Sequence, residues 1–281
     1  MDPEAYRADS RERWEEAAAG WARHREAMQR DAMEVSRWML DAVDLQPGHT
    51  VLELASGPGD TGLMAAELVA PGGRAIITDG AEAMVEVAKA RAQEVGATNV
   101  EIRPMEAEWI DLPTASVDAV VSRWGYMLLA DPEAALRETR RVLRPGGRLA
   151  LAAWDAAEHN PWIARVGEVM VQRGLVPPPD PAEPGPLAFA APGRIEELLD
   201  ATGFHDVHVE PLDFAFRAPS LDAWWEHLTQ TSSRTARVVA GLSPAEHYAL
   251  RDAVDAAYEP YVAADGSLTI PARALVAAAG A

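Results

Sequence analysis

The 281-residue sequence contains no cysteine and a single lysine, Lys89. Without cysteine the chain can form no disulfide, thiolate metal site or cysteine nucleophile. No run of 18 apolar residues occurs, so the sequence predicts no transmembrane helix. The first residues, MDPEAYRADSRERWEE, are charged and lack an apolar core. They predict no signal peptide and, by default, a cytoplasmic protein.

Basic residues are also scarce: 25 lysines and arginines stand against 44 aspartates and glutamates, a net charge of -19. Such a surface repels phosphate backbones and anionic lipids, so we expect neither a nucleic-acid nor a membrane partner. The sequence has no H-x-x-x-H pattern and no facial triad, so we expect no catalytic metal. A small-molecule substrate is the remaining partner class.

Short apolar segments alternate with helical patterns through the first half of the chain. Helices are predicted at 3–43, 60–70, 81–95 and 131–143, and strands at 51–55, 74–79, 100–104, 117–124 and 148–154. Strands that alternate with helices predict right-handed crossovers and a parallel sheet covered on both faces. The sequence therefore predicts a doubly wound α/β fold.

The pattern changes after residue 154. A proline-rich loop, a helix, an alternating edge strand and a helical region follow, at 175–186, 193–204, 205–216 and 220–261. The final SLTIPARALVAAA predicts a strand. We divide the chain into an N-terminal helical lid (1–45), a Rossmann-like domain with an insertion at 155–190 (46–218), a helical cap (219–262) and a strand returning to the sheet (263–281).

The segment LELASGPGDTG (52–62) contains G-x-G-x-x-G in Gly57, Gly59 and Gly62. This spacing is typical of a dinucleotide-binding turn, where glycines let the backbone approach a ligand at a helix N-terminus. Asp79 follows Gly59 by 20 residues, at the end of the second strand, where a carboxylate can bind ribose hydroxyls. NAD and S-adenosylmethionine (SAM) both fit these features.

Two carboxylates separate the alternatives. Glu53 precedes the glycines and Asp60 follows them. They would repel a pyrophosphate but favour a cofactor that carries an ammonium and a sulfonium. A nicotinamide-dependent oxidoreductase is therefore the weaker alternative, and a non-catalytic SAM-binding or ligand-binding protein remains a third.

Four segments in order carry a family resemblance: VLELASGPGDTG, AIITDGAEAM, PMEAEWIDLPTASVDAVVSRW and RVLRPGGRLALAAW. Together they resemble class I SAM-dependent methyltransferases, in particular the small-molecule branch of ubiquinone and menaquinone methyltransferases. The N-terminal WEEAAAGWARHREAM resembles that branch too, so the likeness spans about 12–216. It implies a Rossmann-like, mostly parallel seven-stranded sheet with N-terminal helices over the cofactor.

The resemblance implies a set of cofactor-binding positions. The glycine loop and its acidic residue would hold the methionine part, later residues would hold the ribose and adenine, Arg123 would face the methionine through its backbone, and Trp21 would close the lid. The set is Glu53, Ala55, Ser56, Gly57, Gly59, Asp79, Gly80, Met84, Glu106, Ala107, Arg123 and Trp21.

Two departures from the family pattern bear on catalysis. Ala55 replaces the first glycine of the loop, and GYMLLADP after strand four lacks the histidine common in the family. We therefore take His159 as the candidate general base, with Tyr126 next; His24 and His227 fall in segments that could face the pocket. The expected reaction is methyl transfer from SAM to an oxygen, nitrogen or carbon of a small molecule, such as a phenol or quinol. A homodimer remains an open alternative.

Overall fold

The protein is built around one seven-stranded sheet, seen in a computed structural model that describes residues 2–180 and 183–281. Its strand order is β3-β2-β1-β4-β5-β7-β6. The strands are β1 (Thr50–Glu53), β2 (Arg74–Asp79), β3 (Val100–Pro104), β4 (Val117–Arg123), β5 (Leu143–Trp154), β6 (His205–Ala218) and β7 (Leu268–Gly280).

The first five strands are parallel, and β7 runs antiparallel to both of its neighbours, β5 and β6. Val51 of β1 is in register with Ala75 of β2 and Ala119 of β4. Strand β7 lies antiparallel between β5 and β6, which leaves β6 at the edge. The predicted mostly parallel, seven-stranded fold is therefore confirmed, and so is the edge position of the alternating strand.

Ten α-helices are described on and around the sheet. They are α1 (Pro3–Asp31), α2 (Met33–Ala42), α3 (Asp60–Leu68), α4 (Glu82–Val95), α5 (Pro132–Val142), α6 (Pro161–Gln172), α7 (Arg194–Ala201), α8 (Leu221–Thr231), α9 (Ser233–Ala240) and α10 (Pro244–Tyr258). Helices α8 to α10 occupy the connection between β6 and β7, where the sequence predicts a helical cap. The proline-rich segment 175–186 contains residues 181 and 182, which lie outside the described residues.

The N-terminal helical region consists of two helices. The apolar spacing predicts helical structure over 3–43, and within that range α1 ends at Asp31 and α2 begins at Met33. The buried Asp31 carboxylate accepts a hydrogen bond from the backbone N–H of Arg217 in β6, 2.9 Å away, and contacts Arg30. A contact to β6, 186 residues further along the chain, thus fixes where α1 ends.

Helix α5 begins as its sequence predicts. The Asp131 side chain accepts from the Ala134 backbone N–H at 2.8 Å, and Pro132 follows the cap. A carboxylate at this position satisfies a free N–H of the first turn, while proline has no N–H to lose there.

Candidate functional site

The glycine loop joins β1 to α3 at the carboxyl edge of the parallel strands. Ala55, Gly57 and Gly59 all have left-handed backbones, with φ of 51°, 53° and 80°. Glycine adopts this conformation freely, whereas alanine is strained by about 1–2 kcal/mol. Ala55 therefore keeps the backbone of the glycine that it replaces.

Asp79 ties this loop to the next helix. Its Oδ2 accepts from the Gly57 N–H at 2.8 Å and its Oδ1 from the Ala81 N–H at 3.0 Å. Burial raises the pKa of Asp79 to about 6, and the two N–H donors oppose that rise. The carboxylate predicted from its spacing to Gly59 thus lies against the loop.

A buried charge cluster lies beneath the loop. Glu53 Oε2 accepts from the Gly62 N–H at 2.8 Å, and burial raises the pKa of Glu53 to about 8, with Arg123 as the main opposing charge. The Arg123 guanidinium is itself buried and donates to Ser36 Oγ of α2 at 3.2 Å. The family resemblance implies only a backbone role for Arg123. The structure adds these contacts of its side chain.

Asp60 is the third member of this cluster, and one of its carboxyl oxygens lacks a hydrogen-bond partner among the described residues. Burial raises the pKa of its carboxyl, and the largest opposing influence is Arg123. Its Oδ1 is buried and has no hydrogen-bond partner within residues 2–180 and 183–281. Buried polar atoms are rarely left unpaired, and each such atom calls for an explanation such as a bound group.

Helix α1 covers the loop from outside. A Cβ on Gly57 would lie 3.8 Å from the nearest ring carbon of Trp21, so the indole lies directly over the loop. The indole N–H of Trp21 donates to the Thr231 carbonyl of α8 at 2.9 Å. The structure therefore places Trp21 beside the loop, as the lid hypothesis predicts.

The same helix also covers the predicted adenine side. Met84 of α4 is buried against Ala17 and Ala18 of α1. Glu15 supplies the N-terminal cap that α4 lacks, since its carboxylate accepts from the backbone N–H groups of Glu82 and Ala83 at 2.6 and 2.9 Å.

Glu106 lies beside Gly80, where a Cβ would come 3.1 Å from its Oε2, and it forms an ion pair with Arg11 of α1. Arg7 pairs in the same way with Glu108, and the intervening Ala107 is buried. The residues predicted to hold adenine are thus together, and arginines of α1 contact the acidic ones.

The two candidate bases have different surroundings. Tyr126 is buried, its hydroxyl is 2.5 Å from Thr139 Oγ1, and burial raises its pKa further. His159 is partly exposed after β5, with Nε2 at 3.9 Å from Asp155 and 3.8 Å from Glu158. Neither placement favours proton transfer beside the glycine loop.

An aromatic cluster extends from the end of β4 to the cap. Trp124 stacks on Trp154 at 4.2 Å between ring centroids, and Trp154 also contacts Trp162 and Phe216. Phe216 in turn approaches Trp224 of α8 at 6.3 Å. These strand-end and cap rings pack against one another, and together they form the aromatic wall.

Trp162, which follows β5, belongs to this wall. Trp225 of α8 instead packs within the cap, against Arg251 and His247.

No group of three or more metal-ligating side chains occurs in residues 2–180 and 183–281. No helix in that part of the chain is long and apolar enough to cross a membrane.

Comparison with known proteins gives a family match that includes the glycine loop. Residues 52–151 match the family described as "Methyltransferase domain". Nocamycin O-methyltransferase of Saccharothrix syringae is 34% identical over 198 residues, covering 67% of this chain and 71% of that protein. Demethylmenaquinone methyltransferase of Thermus thermophilus is 34% identical over 201 residues, covering 65% and 87%.

Other matches are shorter or structural. The alignment to the ubiquinone/menaquinone biosynthesis C-methyltransferase of Pasteurella multocida is 31% identical and covers 48% of this chain and 55% of that one. The chain thus spans about half the length of that relative. The crystal structure of YcgJ from Bacillus subtilis has the same fold, with a TM-score of 0.58 and 20% identity over 88% of this chain and 98% of that one.

Proposed function

This chain belongs to the class I SAM-dependent methyltransferases, and we propose that it methylates a small phenolic or quinol acceptor. Two relatives support a small-molecule acceptor, since one is named as an O-methyltransferase of nocamycin and another as a methyltransferase of demethylmenaquinone, and the second name supports the quinol class. The aromatic wall between Trp124 and Trp224 supports it too, because planar rings pack well against aromatic side chains.

The observation that carries the assignment is the unpaired, buried Oδ1 of Asp60 beside the glycine loop. A second carboxyl, Glu53, is buried in the same place. A pyrophosphate would meet the Asp60 carboxylate there, whereas the ammonium of SAM would supply the missing partner. The carboxyl groups beside the loop therefore fit SAM and argue against a nicotinamide dinucleotide.

We assign the remaining parts of SAM to three groups of residues. The loop backbone at Ala55, Ser56, Gly57 and Gly59 would hold the methionine part with the backbone of Arg123, under Trp21. Asp79 would bind the ribose, with Gly80 and Met84 beside it. Glu106 would accept from the adenine amino group and Ala107 would lie against the ring, so Arg11 must share or release the Glu106 carboxylate.

Bound SAM supplies an electrophilic methyl group. The protein's share is to hold the acceptor in line with that carbon and to exclude water, which helix α1 and the cap α8–α10 can do.

The test compares ligands and one isosteric variant. Titration calorimetry should show SAM and S-adenosylhomocysteine (SAH) binding and no NADH binding. Asp60→Asn should weaken both SAM and SAH about tenfold or more, since both carry the ammonium. Glu158→Gln, which changes an exposed carboxylate, is the matched control.

Turnover is then measured with methyl-labelled SAM and catechol or 1,4-dihydroxy-2-naphthoic acid. Label in either acceptor supports the proposal. NADH binding in place of SAM would overturn the cofactor assignment, and SAM binding without label transfer to either compound would overturn the acceptor class.

A further inference from the structure

Helices α1 and α8 meet more closely than ordinary side chains allow. A Cβ on Gly20 would lie 1.7 Å from the backbone oxygen of Gln230, so only glycine fits there. The neighbouring Trp21 lies over Gly57 of the glycine loop and donates to Thr231 of α8. The contact between α1 and α8 therefore lies beside the glycine loop, where the methionine part of SAM is proposed to bind.

His24 follows one helical turn after Gly20, on the same face of α1. Its Nε2 lies 2.9 Å from Oε1 of Gln230, and the guanidinium of Arg23 lies 2.9 Å from the same atom. Arginine can only donate, so this atom is the amide oxygen.

The shared oxygen fixes the tautomer of His24. Since the oxygen accepts, Nε2 of His24 must carry the proton, and Nδ1 of the neutral ring then carries a lone pair. No partner for Nδ1 occurs within residues 2–180 and 183–281. The ring is therefore oriented by Gln230, with a proton acceptor left free.

A second histidine lies beside it. His227 of α8 meets His24 edge to face, at 5.2 Å between ring centroids, and stacks on Trp224 at 4.9 Å. It also approaches Phe216, which joins this pair to the aromatic wall. Burial, together with the neighbouring His24, lowers the pKa of His227 to about 3, so the His227 ring is neutral near pH 7.

We propose that His24 is the general base of the methyl transfer and that Gln230 is its positioning residue; the inference rests on the proposed function. His24 lies about 4.5 Å along the axis of α1 from Trp21, the residue that covers the loop. In the transfer step, a lone pair on the acceptor's hydroxyl oxygen forms the new bond to the methyl carbon, and the C–S pair stays on sulfur. The proton of that hydroxyl goes to Nδ1 of His24, and the O–H pair stays on the oxygen.

The first experiment uses two acceptors that differ in acidity. Catechol must lose a proton during transfer, whereas 4-nitrocatechol is largely ionised beforehand at pH 8. His24→Gln should lower kcat for catechol about 10²–10⁴-fold and change kcat for 4-nitrocatechol far less. His205→Gln, at an exposed position where β6 pairs with the end of β7, is the matched control and should leave both rates unchanged.

Equal losses with both acceptors, or no loss with catechol, would overturn the role of His24. SAM affinity is measured in the same variant, because unchanged affinity shows that the fold and the cofactor site are intact.

The second experiment needs no acceptor. Nitrogen-15 NMR of the neutral histidines should show His24 protonated at Nε2, and Gln230→Leu should abolish that preference and lower kcat for catechol. A proton on Nδ1 in the wild-type protein would overturn the inference. If the wild type methylates neither catechol nor 4-nitrocatechol but does methylate 1,4-dihydroxy-2-naphthoic acid, the loss in His24→Gln is measured with that acceptor. If it methylates none of the three, the proposed acceptor class is wrong, while the tautomer measurement still judges the inference.

Discussion

Replacing Glu53 by glutamine should remove a specific dependence of stability on pH. The Glu53 side chain is fully buried, and burial raises its pKa from the ordinary 4.5 to about 8 despite the nearby Arg123. Because the folded protein holds this proton more tightly than the unfolded chain, the stabilisation is complete below about pH 4.5 and is lost as the pH rises through about 8. The whole loss corresponds to about 5 kcal/mol.

Two other strongly shifted groups act at lower pH. Asp79, with its pKa raised to about 6, loses its contribution between about pH 4 and 6. His227, with its pKa lowered to about 3, loses its contribution as the pH falls from 6.5 towards 3. Between pH 6.5 and 8 Glu53 should therefore dominate these three groups, with a slope of about 1.2 kcal/mol per pH unit near pH 7.

Urea unfolding of the ligand-free protein at pH 6.5, 7.0, 7.5 and 8.0 measures this slope. The wild type and the exposed control Glu158→Gln should each lose about 2 kcal/mol of unfolding free energy over that range. Glu53→Gln keeps an oxygen for the Gly62 N–H and should show a nearly flat profile. Parallel profiles for all three proteins would refute the argument that Glu53 is protonated in the fold at neutral pH.

Three further variants probe the site. Asp79→Ala should weaken SAM binding by about 1–3 kcal/mol in calorimetry, because the loop loses its acceptor and the ribose its carboxylate; unchanged affinity would contradict that role. Gly20→Ala should destabilise the protein by about 1–3 kcal/mol in urea, since a Cβ meets the Gln230 carbonyl; a neutral result would mean that α1 and α8 separate easily. Arg11→Ala should change stability by less than about 1 kcal/mol and slow SAH release, because Glu106 is then free to accept from the adenine amino group; stopped-flow rates equal to or faster than those of the wild type would argue against that role of Glu106.

The parts of this site that the sequence predicts are the local ones. Gly57, Gly59 and Asp79 lie on consecutive strand ends, so spacing alone brings them to one edge of the sheet. The edge position of β6 also follows from its alternation of apolar and polar residues.

Long-range contacts could not be predicted in this way. Gln230 meets His24 across 206 residues, and Arg123 reaches Ser36 across 87. His24 has no motif around it, so only the packing of α1 on α8 reveals its fixed tautomer. The sequence favours His159 as the general base because it follows β5 closely. In the structure its ring nitrogen faces the carboxylates of Asp155 and Glu158.

Helix α1 covers both ends of the proposed site, and that arrangement has a kinetic consequence. Arg11 contacts the adenine side and His24 the acceptor side, about 20 Å apart along one helix. The exposed ion pair is worth about 1 kcal/mol or less, whereas Ala17 and Ala18 are buried against Met84 of α4. The apolar packing therefore holds the helix in place.

Since SAM would lie under α1, SAM can enter and SAH can leave only when that packing opens, and opening also separates His24 from Gln230. The acceptor should therefore bind productively only after SAM is bound and α1 has closed. Product inhibition should show SAH competing with SAM and not with the acceptor, as an ordered mechanism requires. Competition of SAH with both substrates would mean that α1 closes over the acceptor without SAM, and that the two ends of the helix move independently.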